Sequence, residues 1–324
     1  MARYLVAGVA GFIAARVAEL LLDDGHSVVG VDNLNDAYDV QIKEQRLAGL
    51  IEREGFAFHR IDIAEKEPVF ALAEEGLFDA VINLAARAGV RASVEDPWVY
   101  VDTNVTGTLN LLELARQNEI PKFILASTSS IYGQDAPLPT PETADRSEPL
   151  QPYAASKKGA EAMCHAYHFL YGIDITVVRY FTVYGPWGRP DMSMFRFIRW
   201  ITEGEPLLLN GDGSQSRGFT YVDDIARGTI LALKKVGFEV VNLGGHEAIT
   251  MNELIQMIEE LTGKQAQVEQ QPFHKADMQA NQADVEKAGR LLGWEPAVGL
   301  KEGVQRSVEW YMAEREWASR LRID

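Results

Sequence analysis

Tyr153 and Lys157 stand four residues apart, in Tyr153-Ala154-Ala155-Ser156-Lys157. On a helix that spacing puts both side chains on one face. A tyrosine titrates near ~10, and a neighbouring positive charge lowers that value. A phenol so placed can take a proton from an alcohol near neutral pH. Before it in the chain, Ser127-Thr128-Ser129-Ser130 bunches four hydroxyls behind an apolar run over 122–126. Hydroxyls at the carboxyl end of a parallel strand sit where such sheets bind ligands. Taken alone, the Tyr/Lys pair also reads as a partly exposed helical face, and the hydroxyls as a serine-rich turn.

The elements that would position these groups begin at the N-terminus. Tyr4-Leu5-Val6-Ala7 is a short apolar run, as a buried parallel strand requires. It runs into Gly8-Val9-Ala10-Gly11-Phe12-Ile13-Ala14, then an amphipathic helix with Val17, Leu20 and Leu21 at helical spacing. A second strand, 27–31, ends at Asp32. This is a βαβ unit with a glycine-rich first turn and an acid after its second strand. Gly8 permits the tight turn, and Gly11 lets backbone amides approach a pyrophosphate at the helix start, beside Phe12 and Ile13. Asp32, with Asn33 next to it, can accept from adenosine ribose hydroxyls and would repel a 2′-phosphate. NAD is therefore expected rather than NADP. A glycine turn that binds nothing is the plainer alternative. Further on, 78–86 reads as a strand ending in Leu84, Ala85 and Ala86, small enough at the edge for the cofactor's pyrophosphate and ribose to pass close by.

Composition bounds the rest. The chain has 324 residues and a net charge of −16, with a pI near 4.9. A surface this acidic disfavours nucleic acid, so a phosphate ligand must be held by local donors. Cys164 is the only cysteine, which excludes an internal disulfide and fits a reducing compartment. With no signal pattern and no long apolar stretch, the expectation is a cytoplasmic protein without a membrane partner. His165 and His168 share a helical face, but no acid or thiol set accompanies them, so no metal site is expected.

The spacing Gly-x-x-Gly-x-x-Ala followed by Tyr-x-x-x-Lys resembles the short-chain dehydrogenase/reductase superfamily. The length points to its extended branch, the NAD-dependent epimerase/dehydratase family of nucleotide-sugar enzymes. The resemblance implies an α/β fold: a Rossmann-type doubly wound parallel sheet with a smaller C-terminal α/β substrate domain. The expected division is an NAD-binding domain over 1–180, with 219–248 crossing back to it, and a nucleotide-sugar domain over 181–324. It also implies that Asp62 and Ile63 contact adenine, that Asn104 supports the cofactor site, and that Thr128, Tyr153 and Lys157 form the catalytic triad. A helix over 97–118 would carry Asn104; a buried helix–helix hydrogen bond is the alternative reading of that residue. Ala14 stands at the third glycine place, and Asn83 where the family usually has His. A homodimer, built partly on the Tyr153 helix, is implied as well.

What surrounds the triad separates reactions. Family dehydratases carry an Asp-Glu pair after the Ser/Thr, and decarboxylases a Glu. Here the places hold Ser129 and Ser130, which lack a useful acid–base pKa, so elimination lacks its catalytic groups. The stretch Arg179-Tyr180-Phe181-Thr182-Val183-Tyr184-Gly185-Pro186-Trp187-Gly188-Arg189-Pro190-Asp191-Met192, and Val31-Asp32-Asn33-Leu34-Asn35-Asp36-Ala37-Tyr38-Asp39-Val40, resemble UDP-glucuronate 4-epimerases. A uronate carboxylate could be held by Thr128, Ser129, Ser130 and Thr182, with charge from Arg189 or Arg91. Ordinary surface ion pairing is the alternative for both arginines. Arg217 aligns with the family arginine that binds the UDP diphosphate, and Asp277 with a nucleotide-ribose contact. His274 stands where relatives have Arg. The expected reaction is NAD-dependent C4 epimerisation of UDP-glucuronate to UDP-galacturonate through a 4-keto sugar. The alternatives are a UDP-glucose or UDP-N-acetylglucosamine 4-epimerase, a UDP-uronate decarboxylase, or a silent NAD-binding regulator.

Overall fold

The structure is a computed structural model and describes residues 1–144, 147–245, 247–273 and 277–323. His274 lies outside the described residues. Thirteen strands are described: β1 (Arg3–Ala7), β2 (Ser27–Asp32), β3 (Phe56–Arg60), β4 (Ala80–Asn83), β5 (Lys122–Thr128), β6 (Asp174–Tyr180), β7 (Thr182–Tyr184), β8 (Pro206–Asn210), β9 (Ser216–Tyr221), β10 (Phe238–Leu243), β11 (Ala248–Thr250), β12 (Gln267–Gln271) and β13 (Ala280–Asn281). Seven form a parallel sheet in the order β10-β6-β5-β4-β1-β2-β3. This is the α/β, doubly wound arrangement.

The strands read as continuous apolar runs because both sheet faces are covered. Successive residues of β1 go to opposite cores. Tyr4 and Val6 pack under the helices Phe12–Asp23 and Val222–Leu231; Leu5 and Ala7 pack under Gly107–Gln117 and Pro152–Tyr171. β10 joins the sheet at its edge by pairing with β6, although β7, β8 and β9 intervene in sequence. Those three belong to a smaller second layer: β7, β9, β11 and β13 in one sheet, β8 and β12 in another. Its core joins Phe195, Ile198, Leu207, Phe219, Leu254 and Val304.

The helix expected over 97–118 runs from Trp98 to Gln117, with a π-helical turn, Asp102–Thr106, set between its α-helical stretches Trp98–Val101 and Gly107–Gln117. The wide turn holds Asn104, whose side chain bonds outside its own helix, and single π turns commonly mark such places. Gly107 is needed for packing: a Cβ there would lie 2.6 Å from the Ile63 side chain. Among the described residues no helix is long and apolar enough to cross a membrane.

Candidate active site

Order reverses in the sheet between β1 and β4, and the crevice outside the carboxyl ends of such strands is the expected ligand position. A cleft of about 600 Å³ lies there. Gly8, Gly11, Asp32, Asn33, Asp62, Ile63, Leu84, Ala85 and Ala86 line it, so chain segments far apart in sequence converge as the sequence reading required. Gly8 adopts φ +80°, and a Cβ there would lie 2.7 Å from the Ala85 backbone. Only glycine allows this approach of the first turn to the end of β4. Phe12 and Ile13 turn their side chains into the second-layer core and the main core, leaving backbone amides as what they offer a phosphate.

Asp32 closes β2 with its carboxylate tethered by two backbone amides, Ala10 at 3.2 Å and Leu34 at 2.8 Å. Asn33 donates to Asp62 at 2.8 Å, so the ends of β2 and β3 are locked together at the cleft wall. The sequence reading missed Lys43, which also lines this cleft. Its Nζ donates to the Asn35 carbonyl and side chain at 2.8 and 3.0 Å; burial, opposed by the charge of Asp32, pulls it down to about 8. Arg46, one turn on, donates to the carbonyls of Ala10 and Trp187 and to the Tyr38 hydroxyl. It ties the glycine turn to the loop that carries Arg189. A signal existed: both cations fall on the buried stripe with Leu47 and Leu50, where an ordinary amphipathic helix has apolar residues.

Asn104 spends its amide on the protein. It accepts from the Arg87 amide at 2.9 Å and donates to the Arg87 carbonyl at 3.0 Å and to Ser156 at 2.9 Å. It is fully buried, clamping the loop after β4 to the Tyr153 helix rather than lining the cleft.

Tyr153 and Lys157 share one face of the helix Pro152–Tyr171, and the Tyr153 phenol lies under the influence of the Thr128 hydroxyl at the end of β5. Burial pushes the Tyr153 phenol up, while the Thr128 hydroxyl and the positive charge of Arg189 pull it down. Lys157 was expected to supply that charge. In the protein alone Arg189 supplies it, and Lys157 interacts instead with Glu161 and Cys164 further along its own helix. Burial lowers Lys157 to about 8, against the Glu161 charge. Its Nζ is buried with no hydrogen-bond partner, an uncommon state for an ammonium group. Such a group fits a polar ligand in the cleft, and the ribose of a dinucleotide supplies hydroxyls for it.

Beneath the triad lies a closed polar network. Glu161 accepts from Ser127 at 2.6 Å and from Arg179 at 2.7 and 2.9 Å, and Arg179 also donates to Tyr132. Ser127 immediately precedes Thr128, so the network ties the strand bearing Thr128 to the helix bearing Tyr153.

On the substrate side, Thr128 Oγ1 donates to Ser130 Oγ at 3.2 Å and accepts from the Ser130 amide at 3.1 Å. Ser129 accepts from Asn281 at 3.3 Å. Thr182 is half-buried at the start of β7. Arg189 lines the dinucleotide cleft and is paired through both Nε and Nη2 with Asp191, at 3.0 and 2.5 Å. Arg91 and Asp277, expected at different parts of the substrate, are bonded to each other at 2.6 and 3.3 Å. Among the described residues Arg217 donates to the carbonyls of Ser216 and Gln279; burial pulls its guanidinium down, opposed by Asp277. His165 and His168 pack on Phe238, and the described residues contain no cluster suited to a metal.

Comparison with known proteins gives three findings. The model of the NAD dependent epimerase/dehydratase family matches residues 4–244. A UDP-glucuronate 4-epimerase of Thermodesulfobacterium geofontis (strain OPF15) is 54% identical over 324 residues, covering 100% of both chains. Among solved structures, the UDP-glucuronic acid 4-epimerase of Bacillus cereus, in complex with UDP-glucuronic acid and NAD, superposes with a TM-score of 0.91 at 36% identity, over 96% of this chain and 99% of that one. The UDP-glucose 4-epimerase of Thermotoga maritima, with UDP-glucose, gives 0.90 at 33% identity, over 97% and 99%.

Proposed function

Since the chain belongs to the NAD-dependent epimerase/dehydratase family, we propose that it interconverts UDP-glucuronate and UDP-galacturonate by inverting C4. Bound NAD supplies reversible two-electron oxidation of the C4 alcohol. Gly8, Gly11, Asp32, Asn33, Asp62, Ile63, Leu84, Ala85 and Ala86 would hold it along the cleft, with Lys157 on its ribose.

Tyr153 takes the C4 hydroxyl proton through or beside Thr128, whose hydroxyl favours the phenolate. The positive cofactor, the Thr128 hydroxyl and Arg189 together would offset the burial that holds the phenol up. The product of this half-reaction is a 4-keto sugar. Arg217 keeps its diphosphate in place while the sugar turns, and Tyr153 returns the proton after reduction on the other face. Atoms and electrons balance, and the retained cofactor would end each cycle in the oxidation state in which it began it.

A 4-keto uronate is a β-keto acid and loses carbon dioxide readily. Hydroxyls at Ser129, Ser130 and Thr182 can hold the carboxylate out of line with the new carbonyl, and neither residue after Thr128 is an acid. The observation that carries the reading is a buried Lys157 ammonium with no hydrogen-bond partner among the described residues, on the helix face of a Tyr153 phenol that Thr128 and Arg189 pull down, with hydroxyls in place of carboxylates after Thr128. The test is incubation with UDP-glucuronate, no NAD added, followed by NMR of the anomeric protons. UDP-galacturonate should appear, and Tyr153→Phe should stop it.

A neutral-sugar 4-epimerase is the second reading. It is favoured by Arg189 and Arg91 both being paired already with aspartates. Faster turnover of UDP-glucose than of UDP-glucuronate would establish it. We assign 1–180 with 219–248 to the cofactor and 181–324 to the nucleotide sugar. A homodimer is inferred from apolar side chains left exposed on two mutually packed helices, Trp98 and Val101 on one, Phe169 and Leu170 on the other.

A further inference from the structure

Ser129 is joined to the second layer by one side chain. Asn281, on β13, donates from Nδ2 to Ser129 Oγ at 3.3 Å, across 152 residues of sequence. Its Oδ1 accepts from the Gly218 amide at 3.3 Å. A backbone amide only donates, so the atom facing Gly218 must be the oxygen, and the NH₂ must face Ser129. Turning the amide over would set its NH₂ against the Gly218 amide and lose that bond. Asn281 and Ser129 are both buried.

The consequence falls on the serine. Its oxygen already accepts from Asn281, and its own proton has no acceptor among the described residues. A buried hydroxyl in that state has a donor to give. Ser129 adjoins Thr128, whose hydroxyl acts on the Tyr153 phenol, so the donor belongs to the reacting end of the sugar. Asn281 also pairs in register with Arg217 on β9. The strand pair that carries the diphosphate arginine thus reaches the hydroxyl beside the triad.

We propose that Asn281 is a positioning residue that fixes the Ser129 hydroxyl as a donor to the sugar's C6 carboxylate, and so sets the preference for a uronate over a neutral hexose. The proposal rests on the uronate reading above. A carboxylate accepts a charge-assisted bond, whereas a hydroxymethyl group gains only an ordinary one and can act as its own donor. The effect should therefore appear as a change in selectivity rather than a general loss.

The test uses the NAD-loaded protein and calorimetric Kd values for UDP-glucuronate and UDP-glucose. Asn281→Asp keeps the acceptor for Gly218 but has no proton for Ser129, which would then donate to the aspartate. Asn281→Ala removes the donor without adding charge. Both variants should weaken UDP-glucuronate by about 10–100-fold and change UDP-glucose by less than about threefold. In a Ser129→Ala background neither should alter the ratio further. Equal weakening of both sugars, or a ratio change that persists without Ser129, would overturn the proposal. Wild-type turnover of UDP-glucuronate by NMR separates the two failures. If turnover is absent, the uronate reading falls and takes this proposal with it; if turnover is normal and the ratio is unmoved, this proposal falls alone.

Discussion

Glu161→Gln tests whether the buried network beneath the triad sets the chemistry above it. The wild-type carboxylate accepts three hydrogen bonds, one from Ser127 and two from Arg179, whose side chain is fully buried. Glutamine keeps nearly the same shape but leaves the guanidinium without a counter-charge. Breaking one side of a buried pair costs about 3–5 kcal/mol, which for a chain of this length lowers Tm by on the order of 5 °C. The second effect is on Lys157. Burial depresses it to about 8, and Glu161 is the larger of the charges that oppose the depression. Without that charge, Lys157 should lose its proton at lower pH. Its folded value lies below the ordinary 10.5, so the burden of a buried ammonium is fully present below about pH 8 and is relieved as pH rises from there to 10.5. Activity that requires the ammonium follows the opposite course and fades as pH rises through the folded value. The alkaline limb of the kcat profile should therefore move to lower pH in the variant. Ser127→Ala is the control: it removes one hydrogen bond, worth roughly 1 kcal/mol, and should leave the limb in place. The assay is kcat against pH between 6 and 10, with Tm measured in parallel. A limb that stays put or moves upward would refute the electrostatic argument, and an unchanged Tm would refute the energetic one.

Three further outcomes follow from the site. Tyr153→Phe should lower kcat by at least ~10²–10⁴-fold while NAD stays bound, as absorbance of the released cofactor would report. Gly8→Ala puts a Cβ 2.7 Å from the Ala85 backbone at φ +80°; strain of at least about 1–2 kcal/mol should appear as a lower Tm and loss of retained NAD. Arg217→Met should weaken UDP, UDP-glucose and UDP-glucuronate by similar factors in calorimetry, because the diphosphate is common to all three; a loss confined to one sugar would move Arg217 away from that role.

Much of the site was legible because its signals are local. The glycine turn, the acid ending β2 and the Tyr-x-x-x-Lys face each lie within one strand–turn–helix unit, where residue type and period dictate conformation directly. The parallel sheet followed from apolar runs that only a doubly covered sheet can bury. Lys43 and Arg46 were missed because a cation on a helix reads as solvent-facing until the loop it bonds, at Asn35 or Trp187, is seen to fold over it. The charges of Arg91 and Arg189 were visible, but not that Asp277 and Asp191 already hold them. Lys157 was placed by its spacing, yet the cation acting on Tyr153 in the protein alone comes from Arg189, 36 residues further on. The sequence by itself thus determined the fold class and the cofactor, and it put Gly8, Asp32 and Asp62 on one cleft. Tertiary structure alone decided which charges are paired, which hydroxyl must donate, and how β13 reaches the end of β5. Arg91 and Asp277 meet across 186 residues and Asn281 and Ser129 across 152, and that meeting is set by how the two layers pack and not by any periodicity along the chain.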